Sequence, residues 1–258
     1  MKNCGIALLL FITLLVWPVS GHAKSQDEDP WAKLTSLATK VTDTVDSGEY
    51  QGALTFLDAF SKEWTKVSKG QSLSDIQVRT LNASLYTLQK ELQVKADPVQ
   101  LKRSSVSFRL AVDALASDGV PLWRSMGDQL IQSFNSVKKD VQTGNDAKFQ
   151  VDLNQFLDLY QMVYPSMAID VASDPLKNLD SEVNQLANQR MTYVQNAKVE
   201  KGQLQKLSGD LGTIFAQKTA MVNGGMTTSV NSMIISIGGL IVLTLLYVSW
   251  RKYNGTTA

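Results

Sequence analysis

The chain contains one cysteine, Cys4, and one histidine, His22, both close to its start. Once that segment is removed, the remainder has no thiol nucleophile, disulfide, Cys/His zinc site or Ser-His-Asp triad. General acid–base catalysis near neutrality loses its usual side chain. Carboxylate-pair hydrolysis and all-oxygen metal binding remain compatible with the composition. The carboxylates show no obvious pairing. Asp152 and Asp158 do not share a helix face at three- or four-residue spacing, and they read as solvated. Asp27-Glu28-Asp29 reads as a solvated, frayed terminus. No glycine loop with its Lys and Ser/Thr is present to cradle a phosphate. Catalytic, cofactor-binding and metal-ligating residues are therefore expected to be none.

One cluster stands out: Phe108-Arg109-Leu110-Ala111-Val112-Asp113-Ala114-Leu115, followed by Pro121-Leu122-Trp123. Arg109 and Asp113 are four apart, on one side of a helix, flanking its apolar stripe. Functionally they would anchor an ion or a partner's polar group. The plainer expectation is an ion pair at the edge of a helix interface, with Trp123 filling the core after the turn.

The elements that would carry this cluster read as helices throughout. Trp31, Leu34, Leu37, Val41 and Val45 recur at helical steps; Tyr50, Ala53, Leu57, Phe60, Trp64 and Val67 resume the rhythm after Gly48. Ser74 to Gln77 has the form of a capping box ahead of Val78, Leu81, Leu85, Leu88 and Leu92. Asp97-Pro98 is an N-cap with proline at the first helical position, and Asp118 to Pro121 ends that helix. A fifth helix is expected from Leu122 to about Thr143, and Gly144-Asn145-Asp146 is a stop and a new cap. The sixth is expected to break at Pro165, and Asp174-Pro175 to cap another. Gly48-x-Tyr50-x2-Ala53, with Trp31-x2-Leu34 upstream, resembles the turn of a tetratricopeptide-type repeat. No 34-residue period recurs, so irregular helical hairpins are expected instead. The fold class is all-α, a bundle of about seven to eight helices.

The two ends predict where the domain works. Lys2, the apolar stretch Ile6–Trp17, Pro18 and the small residues Gly21 and Ala23 predict a signal peptide over 1–23. Met233 to Trp250 is uncharged and roughly 27 Å long as a helix, near the thickness of a bilayer's hydrocarbon core. Trp250, Arg251, Lys252 and Tyr253 supply the aromatic and basic residues that favour a cytoplasmic membrane edge. The expected organisation is a helical extracytoplasmic domain over 24–197 and a partly helical juxtamembrane linker over 198–230. A transmembrane helix over 231–250 and a short cytoplasmic tail over 251–258 follow. Ser232, Ser236 and Gly239 form a small-residue strip that would let two anchors approach as a weak homodimer. Between the end segments lie 22 basic and 24 acidic residues, so no basic excess predicts nucleic-acid binding.

The segments FRLAVDAL…PLW and LTLLYVSWRKY resemble the sporulation protein YpjB family of endospore-forming bacilli. Length, signal-like start and terminal anchor agree with that resemblance, which spans essentially the whole chain. It implies a role in spore formation and supplies no reaction, cofactor or catalytic residue. The expected function is thus a non-enzymatic, membrane-tethered domain of the cell envelope that binds a protein or other envelope component. The rivals are a carboxylate-based envelope hydrolase and the ectodomain of a sensor that signals through a separate partner.

Overall fold

Local capping chemistry sets the starts of four helices in the computed structural model, which describes residues 29–190 and 197–216, the backbone alone for 197–201. Asp29 accepts from the Trp31 amide and starts α1 (Pro30–Asp46). Gly48, in the left-handed region at φ +74°, turns the chain into α2 (Tyr50–Gly70). Ser74 and Gln77 form the expected reciprocal capping box at the start of α3 (Asp75–Gln93). Asp97 accepts from the Val99 and Gln100 amides ahead of α4 (Pro98–Ala116). A 3₁₀ turn, Leu122–Met126, precedes α5 (Gly127–Thr143), so the expected fifth helix is split. Gly144 is left-handed at φ +65°, and Asn145 caps α6 (Asp146–Asp170). Then come α7 (Ser173–Asn188) and α8 (Ala197–Ala216). The described residues are all-α, with eight α-helices.

Two expectations about proline fail. Pro165 does not end α6, which continues to Asp170. An interior proline costs about 3 kcal/mol. The following turn buries Met167 and Ile169, and that apolar burial offsets the loss. Asp174 does not cap α7; the helix starts at Ser173, with Asp174 in its first turn.

Two hydrophobic cores share α4 and α6. One joins α1 to α4 around Leu34, Phe60, Leu81, Leu88 and Phe108, with Ile169 of α6 packed in. Phe60 meets Phe108 edge to face at 4.8 Å. The other gathers α5 to α8 around Trp123, Phe134, Phe156, Met167 and Leu179, with Leu110 contributed by α4. Thr42 ties α1 to α4 from within, donating to the carbonyls of Ala38 and Ser105.

Helix α8 extends into the stretch expected as linker. Leu204, Leu207, Leu211 and Ile214 are each at most 5 % exposed and complete the second core. The packed body therefore runs to Ala216, past the expected boundary at 197. Among the described residues no helix is long and apolar enough to cross a membrane. The expected signal peptide, the anchor over 231–250 and Ser232, Ser236, Gly239, Trp250, Arg251, Lys252 and Tyr253 all lie outside the described residues.

Candidate functional site

The predicted cluster separates in three dimensions. Phe108 is fully buried in the first core and Trp123 in the second. Arg109 and Asp113 do not pair. Asp113 instead accepts from the Leu122 amide at 2.6 Å and so fixes the 3₁₀ turn that begins after buried Pro121. Phe108, Pro121 and Trp123 thus fill buried positions, and the Asp113 carboxylate holds the turn between them.

Trp123 has a neighbour that the spacing did not single out. The Arg124 guanidinium lies 4.3 Å from the Trp123 ring and donates to Asp170 at the end of α6 at 2.9 Å. A second donation, also 2.9 Å, reaches the Ile214 carbonyl near the end of α8. Both ionic side chains are only 10 % exposed. Arg124 thus clamps the ends of two helices, where a cation also meets the favourable end of each helix dipole. Phe215 packs edge to face on Trp123 at 5.2 Å, and a Cβ built on Gly127 would sit 2.5 Å from its ring. Gly127 is therefore needed for the close approach of α8.

The two acids expected to be solvated are both engaged. Asp158 receives two parallel donations from Arg103 at 2.9 Å each. Asp152 lies 3.5 Å from Lys148, which also faces Asp140 of α5. Asp140 is 2 % exposed, and Lys148 stands 3.6 Å from it. Desolvation, then the neighbouring Asp152 carboxyl, raises the Asp140 carboxyl above its usual range, against the pull of Lys148. A raised folded-state pKa gives stability that is present below the unfolded value and lost as pH rises through the folded one. Asp140→Asn should therefore match the parent in thermal unfolding below pH about 3.8. It should become progressively the more stable of the two as pH rises toward neutrality. A constant difference between the two melting curves would show that Asp140 does not titrate this way. Among the described residues, no group of three His, Cys, Asp or Glu side chains is placed to hold a metal ion.

Among the described residues, a cleft of about 420 Å³ opens between α3, α4 and α6. Three stripes at helical spacing line it. Thr80, Ala83, Ser84 and Thr87 come from α3, and Gln100, Arg103, Ser104 and Ser107 from α4. Gln161, Met162 and Pro165 continue the face of α6 that carries Asp158. Small side chains on facing helices leave this volume open, within the range of ligand pockets. Its charged wall is neutralised internally by the Arg103–Asp158 pair. Gln100 is also committed, donating to Glu91 and to Ser104. The sequence carried a signal for the cleft, a run of Ser and Thr at i, i+4 and i+7. On one helix alone that pattern reads as a solvated face.

The described residues form an all-α body of eight α-helices that carries a cleft whose charged wall is paired internally. The chain belongs to the family described as Sporulation protein YpjB (SpoYpjB), whose model matches residues 31–258. It is similar to the Uncharacterized protein YpjB of Bacillus subtilis (strain 168), 28 % identical over 254 residues, which cover 96 % of this chain and 94 % of that protein. No solved structure matches.

Proposed function

We propose that this sporulation-family protein is a membrane-tethered binding domain, facing outward from the cytoplasmic membrane, that holds an envelope component without turning it over. The observation that carries this reading is the α3–α4–α6 cleft. It is ligand-sized, and its one ion pair is internal, so it offers contacts without a poised acid or base. The apolar run Met233–Trp250 with Arg251-Lys252 after it supports the tether.

The Asp140–Asp152 pair is what a hydrolase reading would start from, since one member sits in an apolar setting. Retaining glycosidases hold their two carboxyl groups about 5–5.5 Å apart, with the sugar between them. Here Lys148 stands between the two carboxylates, 3.6 Å from Asp140 and 3.5 Å from Asp152, which supports a structural role.

A photoreactive residue at Thr87, in the cleft, should give a discrete adduct in sporulating cells, and one at exposed Asp58 on α2 should not. Equal labelling from both positions, or none from Thr87, would contradict the binding reading. Protease added to intact protoplasts should remove the domain and leave the tail. Protection of the domain would reverse the proposed topology.

A further inference from the structure

We propose that the α3–α4–α6 cleft takes an uncharged sugar unit bearing an N-acyl group; this rests on the binding reading above and names its ligand class. The argument begins with hydroxyls that are left unused. Elsewhere in the bundle Thr42, Thr44, Thr55, Thr65, Thr143 and Thr213 turn their hydroxyls back onto the carbonyl four residues earlier. In the cleft, the hydroxyls of Thr80, Ser84, Thr87 and Ser107 make no hydrogen bond within the protein. They come from two helices and converge on one volume.

Pro165 adds an acceptor on the third wall. It has no N–H, so the Gln161 carbonyl lacks its helical donor, and both residues line the cleft. Beside that carbonyl lie Met162 and the Pro165 ring, an apolar patch. An acetamido group carries an N–H and a methyl, which match a carbonyl that has lost its helical donor beside an apolar surface. The hydroxyls, which both donate and accept, match the ring hydroxyls of a sugar. Anions and cations are not matched, because Arg103 is held bidentately by Asp158. A nucleotide or an acidic peptide would find no free charge there.

The test is saturation-transfer NMR on the full chain in a non-glycosidic detergent, with the disaccharide of N-acetylglucosamine as probe. Cellobiose, which lacks the acetamido group, and an uncharged acetylated tripeptide serve as controls. Saturable binding of the N-acetylated disaccharide is expected, at least tenfold tighter than that of cellobiose. Ser107→Leu, which fills the cleft, should weaken it at least tenfold with helical melting unchanged. Ala83→Leu, on an exposed position of the α3 wall, repeats the test where Ser107→Leu is poorly folded. Retention on insoluble envelope glycan, competed by the disaccharide, would identify polymer as the source; disaccharide binding without retention would identify free sugar. No saturable binding, equal binding of cellobiose, binding of the tripeptide alone, or indifference to both variants overturns the sugar assignment. If the Thr87 adduct persists in that case, only the ligand class falls; if it is absent too, the binding reading falls with it.

Discussion

Trp123→Ala should lower the unfolding free energy by about 3–5 kcal/mol, the cost of emptying a large aromatic site in a packed core. Trp123 is fully buried, and its indole N–H has no partner, so the loss comes from packing rather than from a broken hydrogen bond. Two further contacts go with it: the edge-to-face meeting with Phe215 and the cation over its ring from Arg124. Both hold α8. Urea unfolding followed by far-UV dichroism should show the reduced midpoint, and hydrogen exchange should rise first in α8. An unchanged midpoint would mean that the residue is exposed and would return it to the list of binding candidates.

Asp170→Ala should cost a comparable amount, about 3–5 kcal/mol, because removing one partner strands a buried guanidinium. Arg124→Ala loses the same pair, the bond to the Ile214 carbonyl and the stacking on Trp123. The double variant Arg124→Met with Asp170→Leu should be markedly more stable than either single change, since it leaves no unpaired charge. If the single changes are each within about 0.5 kcal/mol of the parent, the pair is behaving as a surface ion pair and the clamp does not exist.

Helix starts were legible wherever a single side chain decides them. Asp29, Ser74 with Gln77, Asp97 before Pro98, and Gly144-Asn145 act on amides within three residues, so spacing alone reveals them. The core stripes were legible for the same reason, from Leu34 to Leu186. Pro165 was misjudged because the cost of a proline is local while the burial of Met167 and Ile169 that outweighs it is tertiary. Leu204 to Ile214 formed a visible stripe among glycines and polar residues. Its place in the core depends on Trp123 and Leu179, far away in sequence.

The site was harder to read, because its contacts cross long sequence distances. Arg124 meets Asp170 and Ile214, and Arg103 meets Asp158, pairs that no i, i+4 rule reaches. Arg109 and Asp113 satisfied that rule, yet the Leu122 amide took the carboxylate. A backbone donor held at a fixed turn competes well with a long, flexible cation at a helix surface. The cleft could not be recognised from one helix, since it exists only where three small-residue faces meet.

The central claim is that the protein acts by binding at a membrane surface, where tethering raises effective concentration toward a partner in the same envelope. Complementation of a sporulation defect in a deletion strain, at matched protein levels, tests it most directly. A secreted form lacking Met233–Ala258 should stay folded yet lose most activity, whereas Asp140→Asn and Asp152→Asn in the full chain should retain it. Full rescue by the secreted form, with rescue abolished by either carboxylate change in a folded protein, would contradict the account and favour an enzyme.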